Sequence, residues 1–236
     1  MRIIRRTAGA LIKICVPYES VRRDLRGAWH SLAAASQGWM SEAFAGRPVL
    51  PANGQAKVNI GCGALHRDGW LNIDSRPAED VYYVNVINGL PLPDAAACHI
   101  HCEHFLEHLE LEDARKFIGE CFRILGPGGG IRIIVPDAAK YMTAYACGDV
   151  GFFDRLRCLG GDPIPMGTPI EVINRMFRMW GSHRFAWDFE LLAGMLRATG
   201  FSSVSRSKLG DVANDLNIDG QDWWRPLESL YVNALK

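Results

Sequence analysis

Two kinds of hydrophobic spacing divide the chain. Over residues 1–15 the apolar positions Ile4, Ala8, Leu11, Ile12 and Cys15 fall on one helical stripe, with Arg2, Arg6 and Lys13 opposite, until Pro17 ends the pattern. A second stripe, Val21, Leu25, Trp29 and Leu32, predicts a helix over residues 19–35, and a two-proline loop at 47–54 closes this part. From Lys57 onward short apolar runs alternate with helical ones. The runs at 58–60, 70–73, 81–84, 97–102 and 131–135 read as strands, with an amphipathic helix at 112–125 that ends on Gly126 and Pro127. Such alternation is the mark of a parallel sheet with helices on both faces. Asp188 is placed to cap a helix running to Thr199, which Gly200 ends, and residues 204–208 and 230–235 supply two last strands. Residues 141–179 show little pattern and contain GGDPIPMGTP; nearly forty such residues argue for a functional loop, a lid-like insertion over about 141–182. The predicted organisation is an N-terminal helical extension or cap at 1–54 and an α/β domain at 55–236.

The stretch 57–74, KVNIGCGALHRDGWLNID, joins the first two strands and is the most informative in the chain. Glycines just past a strand let a ligand approach the backbone where a Cβ would block it, and an acid ending the next strand can accept hydrogen bonds from both hydroxyls of a ribose. Gly61, Gly63 and Asp74 meet those requirements. A dinucleotide site would need G-x-G-x-x-G opening a helix, but His66 stands at the third glycine position and Asp74 comes far sooner than the roughly 20 residues that fingerprint expects. No Gly-Lys-Ser/Thr follows the turn, which excludes a P-loop. The pocket suits a nucleoside without phosphates.

NIGCG, GWLNID, NGLPLPD, EHFLEHL and RILGPGGGIRIIVPD, in that order and spacing, resemble class I S-adenosylmethionine-dependent methyltransferases, and among them the small bacterial methyltransferase type 11-like proteins, some associated with surface-polysaccharide synthesis. The resemblance is clear over residues 57–137 and weaker over 183–236. It implies a Rossmann-like, doubly wound, mostly parallel sheet with an antiparallel C-terminal edge hairpin. It also implies S-adenosylmethionine as cofactor and a small-molecule or glycan acceptor, with oxygen the expected nucleophile. Ligands of open α/β sheets bind beyond the carboxyl ends of the strands. That rule selects Gly61, Gly63, Asp74 and Asn85 for the cofactor, with Asn59, Cys62, Val86 and Glu103 beside them. Asn85 would meet the adenine edge, although Asn is equally common as a turn residue after a strand. Towards the acceptor the rule selects His104 and Asp137, and His183 beside the lid is a further candidate; histidine is the natural general base near neutral pH. Each of the three also has a structural reading, as a cap or a hydrogen-bonded side chain. Asn59 stands where many members have an acid, and Ala64 where many have a third glycine.

Composition narrows the picture further. The 236 residues carry zero formal net charge, so no global field recruits nucleic acid. Charge is uneven, however, with eight basic side chains against three acidic ones in residues 1–50. A basic amphipathic helix can lie on anionic membrane, so residues 1–16 are a candidate peripheral contact with the inner face of a membrane, although packing on protein is commoner. That helix is too short to span a bilayer and lacks a signal-peptide core. Seven cysteines without C-x-x-C pairing fit a reducing cytoplasm. The run CHIHCEHFLEH includes H-x-x-E-H at 104–108, the inverted zincin pattern, and gives two rival readings: a metal-dependent hydrolase through His104, Glu107 and His108, or a non-catalytic methyltransferase-like binding domain. Strand alternation sends Cys98, Ile100 and Cys102 to one face and His99, His101 and Glu103 to the other, and no third ligand for His104 and His108 is evident, so no metal is expected.

Overall fold

The computed structural model describes residues 48, 50–51, 55–75, 78–157 and 166–236. The chain divides into two units, Met1–Ala45 and Gly46–Lys236. The helices expected within residues 1–35, including the candidate membrane contact at 1–16, lie outside the described residues, as does nearly all of the extension drawn to residue 54.

The second unit is built on a seven-stranded sheet in the order β3-β2-β1-β4-β5-β7-β6. Its strands are β1 Ala56–Ile60, β2 Leu71–Asp74, β3 Tyr82–Tyr83, β4 Ala97–Glu103, β5 Leu125–Pro136, β6 Ser202–Ser207 and β7 Ser229–Leu235. Every neighbouring pair is parallel except β5 with β7 and β6 with β7. This is the Rossmann-like sheet with an antiparallel C-terminal edge. β3 is shorter than the expected run, although Val84, buried in the core, still donates to Asp74 O at 3.0 Å. β5 begins six residues before Ile131, since Leu125 both caps the preceding helix and pairs with Ala97.

Side-chain alternation gives the sheet two unlike faces. One carries Val58 and Ile60, Ile73, Ile100 and Cys102, Ile131, Ile133 and Val135, and Val232, all buried. Helices α1 (Leu111–Ile124) and α5 (Phe189–Thr199) pack there through Phe117, Ile118, Leu192 and Leu196. Each such side chain fully withdrawn from water contributes about 1.5–3 kcal/mol before conformational entropy is charged against it.

The opposite face is polar. The strand register lines up Asn72, Asn59, His101, Arg132 and Asn233 in one row across β2, β1, β4, β5 and β7. A buried guanidinium demands partners for all five of its N–H groups. Arg132, fully buried, finds them: its Nε and one terminal nitrogen donate to the Asp219 carboxylate at 2.6 and 2.5 Å, and the rest go to Lys208 O, Ser207 Oγ and Asn233 Oδ1. The connection between β6 and β7 is thereby drawn over the polar face. Arg67 donates to Ile218 O and Lys57 to Asp215 O along the same path.

Residues expected to be weakly patterned are helical: α2 Ala138–Cys147, α3 Val150–Arg157 and α4 Pro169–Arg178, followed after α5 by the short α6 Arg225–Glu228. Helices α2 to α4 share a second core of Tyr141, Phe152, Phe153, Leu156, Val172 and Met176. Pro169 at the first helical position and Glu171, whose carboxylate accepts from Thr168 N at 2.7 Å, start α4. Each helix has three turns or fewer, so its stripe is too brief to stand out from the sequence. Among the described residues no helix is long and apolar enough to cross a membrane.

Truncating a buried ion-pair partner leaves the other charge uncompensated. Arg132→Ala should therefore lower the unfolding free energy by about 3–5 kcal/mol in urea denaturation. The double variant Arg132→Met/Asp219→Leu should recover most of that loss.

Candidate active site

Beyond the carboxyl end of β1 the backbone turns sharply: Gly61 has φ +70° and Gly63 φ +54°, and Gly61 N donates to Ile73 O at 2.8 Å. A Cβ on Gly61 would lie 2.5 Å from the Phe105 ring, so only glycine fits there. Gly63 faces open space, and its N–H donates to Asp74 Oδ2 at 2.8 Å. The two ends of the predicted nucleoside pocket are thus joined by a direct hydrogen bond.

The connection 61–70 contains no helix, and side chains from the strands below brace it. Asn59 Nδ2 donates to Leu65 O at 3.0 Å and to Asn72 Oδ1 at 3.1 Å, while Asn72 bonds the backbone of Arg67 and Trp70. The Asn59 amide nitrogen is committed to holding this turn. Cys62 is buried, and burial with the nearby Asp74 charge pushes its thiol up to about 12, so it stays protonated. Asn85 caps the 3-10 turn Val86–Asn88, accepting from Ile87 N, and Val86 is buried in the main core. The turn reading of Asn85 is the one seen in its hydrogen bonding.

Glu103, at the end of β4, is engaged by the β6–β7 connection. Gly220 N donates to it at 2.9 Å, Arg225 forms a short ion pair with it, and His101 Nε2 lies 3.2 Å away. Burial opposes ionisation of Glu103, but the His101 hydrogen bond and the Arg225 charge outweigh it and hold the carboxyl at about 2. The space bounded by Asn59, Gly61, Leu65, His101, Glu103 and Ile218 is only about 10 Å³, near the size of one water. Gly220, Asp219 and Arg225 had no motif to flag them; the one signal was Arg132, a charge inside an apolar strand.

His104 follows in the left-handed region, φ +47°, where a side chain is strained. Its Nε2 is 3.0 Å from Ser229 Oγ, its Nδ1 is 3.2 Å from a Glu107 carboxylate oxygen, and its ring meets the edge of Trp224. The backbone reversal at His104 and a single 3-10 turn, Leu106–His108, exclude the helical H-x-x-E-H arrangement that the hydrolase reading needs. Arg184 N and Phe185 N donate to Glu107 O, which brings residues 182–185 against this turn. His183 Nδ1 bonds Met176 O at 2.6 Å and its ring meets that of His108 at 4.9 Å. Burial lowers the His183 pKa. His104 and His183 thus converge, 79 residues apart in sequence.

Asp137 sits apart from them. It caps α2 by accepting from Ala139 N at 3.1 Å and pairs with Arg206 at 3.3 Å. It lines a cavity of about 340 Å³ with Lys140, Arg206, Lys208, Ser229 and Tyr231. Lys140 donates to Ser229 O and Pro226 O, and burial lowers its pKa. Ser229 joins this cavity to His104.

A family model described as a methyltransferase domain matches residues 59–133. No curated protein matches the chain. Among solved structures, a possible histamine N-methyltransferase from Thermotoga maritima is similar at 16% identity and TM-score 0.47, covering 91% of this chain and 97% of that one. An S-adenosylmethionine-dependent methyltransferase from Archaeoglobus fulgidus is similar at 18% identity and TM-score 0.46, covering 87% and 94%. A 1,6-didemethyltoxoflavin-N1-methyltransferase from Burkholderia thailandensis, in complex with 1,6-didemethyltoxoflavin and S-adenosylhomocysteine, is similar at 15% identity and TM-score 0.44, covering 98% and 89%.

Two groups near this site make stability depend on acidity. Burial, then the His101 and Arg132 charges, lower His99 from 6.5 to about 4. Neutral His99 is accommodated above pH 6.5, and its contribution is lost as pH falls towards 4; Glu103 contributes above pH 4.5, and that is lost towards pH 2. His99→Leu should flatten the decline between pH 6.5 and 4, on the order of 3 kcal/mol in the parent protein. The Glu103 window below it should persist. Chemical denaturation across that pH range checks both.

Proposed function

We propose that the chain, which a methyltransferase-domain family model matches over residues 59–133, is a class I S-adenosylmethionine-dependent methyltransferase of the type 11-like kind and methylates an oxygen of a small-molecule or glycan acceptor. The observation that carries the reading is the hydrogen bond from Gly63 N to the Asp74 carboxylate, which sets a ribose-accepting acid beside open glycine backbone.

S-adenosylmethionine supplies a methyl group on a sulfonium centre that already has a good leaving group. The protein's share is alignment, exclusion of water and, for a hydroxyl acceptor, removal of a proton. Gly61, Gly63 and Asp74 are assigned to the nucleoside, which their open side at Gly63 fits. Asn59 acts through the turn it braces. Cys62, Asn85 and Val86 shape the surroundings of that turn, and Glu103 marks its far rim, beneath Gly220 and Arg225.

His104 is the assigned partner of the acceptor hydroxyl, since it directly follows the end of β4 and its ring meets Ser229 on the cavity wall. Lys140, Arg206 and Lys208 around that cavity favour an acceptor bearing a carboxylate or phosphate. An acidic precursor of cell-envelope polysaccharide, met on the cytoplasmic side, has that chemistry. Asp137 is assigned to position Arg206 rather than to take a proton, because its carboxylate caps α2.

Titration calorimetry with S-adenosylmethionine and S-adenosylhomocysteine tests the pocket. Both should bind at micromolar concentration, and Asp74→Ala should weaken each by about tenfold or more, the worth of one or two hydrogen bonds to a charged group. A folded protein that binds neither would be a non-catalytic binding domain.

A further inference from the structure

The turn after β4 holds a carboxylate without an adequate partner. Glu107 is 2% exposed, yet neither of its carboxylate oxygens has a hydrogen-bond partner. Burial opposes ionisation of Glu107, while His104 Nδ1, within 3.2 Å of one oxygen, and the His108 charge favour it, but the other oxygen is left unmet. A carboxylate withdrawn from water with so little hydrogen bonding is costly, and native proteins leave few such groups.

Two histidines stand beside it. Ligand atoms of Glu107, His108 and His183 all lie within 4.8 Å of one another. Each histidine has its Nδ1 on a backbone carbonyl, His108 on Ser182 O at 2.9 Å and His183 on Met176 O at 2.6 Å. A carbonyl oxygen only accepts, so both Nδ1 atoms carry a hydrogen, and in the neutral ring the Nε2 atom of each then keeps its lone pair. That second bond is what fixes the tautomer and ring orientation of histidines that ligate metals. Glu107 is buried, His183 half-buried and His108 exposed, which leaves an ion a way in.

We propose that Glu107, His108 and His183 form a binding site for a divalent transition-metal ion of the zinc type. Two imidazoles and one carboxylate are a donor set that catalytic zinc accepts, with a fourth position left for water or a ligand oxygen. Ligand atoms 2.0–2.2 Å from a tetrahedral ion lie roughly 3.3–3.6 Å apart, inside the 4.8 Å that bounds this cluster. His104, against the Glu107 carboxylate, orients it. The H-x-x-E-H run supplies two of the ligands and the chain following α4 supplies the third. The site does not depend on the methyl-transfer reading.

Full-length protein stripped with EDTA and dialysed is titrated with ZnCl2 by calorimetry, and metal content after dialysis is measured by mass spectrometry. One ion per chain at micromolar affinity or tighter is expected. His108→Gln and Glu107→Gln should each weaken binding by about tenfold or more, in keeping with the cost of disturbing a metal's ligands. Cys147→Ser, which removes an exposed thiol, should leave it unchanged. Loading with Co2+ should give a visible ligand-field band that both ligand variants lose. His108 is exposed, so its variant keeps the fold even if Glu107→Gln does not; circular dichroism checks both. Folded protein that retains no zinc overturns the proposal and leaves Glu107 to His104 alone. Equal binding by wild type and folded His108→Gln overturns it as well, by placing the ion elsewhere.

Discussion

A guanidinium buried in the middle of a sheet constrains everything around it. Arg132 lies on the face that α1 and α5 do not cover, and its five N–H groups must be met there. No single neighbour could meet them. Asp219, Lys208, Ser207 and Asn233 together do, and three of the four lie on the chain from the end of β6 through the connection to β7. The arginine therefore decides where that connection runs. Gly210 N, which donates to the same Asp219 carboxylate at 2.8 Å, closes the loop on itself.

The consequence reaches the strand ends. With Asp219 tied to β5, Gly220 falls on Glu103, and Trp224 and Arg225 fall on His104 and Glu103. A connection far from β4 in sequence thus forms the roof over the glycine turn. Polar side chains on the same face hold the floor, since Asn59 and Asn72 brace a β1–β2 connection that has no helix of its own. A doubly wound sheet ordinarily relies on a helix for that brace; here two amides do the task within ten residues of chain.

His104 shows how strain and function meet. The left-handed turn there costs energy that an ordinary residue would avoid by relaxing. His104 N donates to Ile134 O at 2.8 Å, which ties the turn to β5. The reversal puts the His104 ring between the basic cavity and Glu107, and turns Glu107 inward towards His108 and His183. A helix at this point would have sent those side chains elsewhere.

The strand–helix alternation, the glycine turn with Asp74 and the caps at Asp188 and Gly200 were legible in the sequence, while the antiparallel edge was implied only by the resemblance and is set by long-range pairing of β7 with β5 and β6. Each of the legible features depends on neighbours in the chain or on a period of two or 3.6, and such rules are local. Asn85 shows their limit, because a cap and an adenine contact call for the same residue after a strand. The tertiary structure alone decided that α2 to α4 share a core, that Asp219 answers Arg132, that Glu103 is paired with Arg225, and that His183 joins Glu107 and His108. Those contacts span from 75 to 122 residues for the charged and histidine groups that matter here. No periodicity encodes them; they follow from burying a charge and then having to satisfy it in three dimensions.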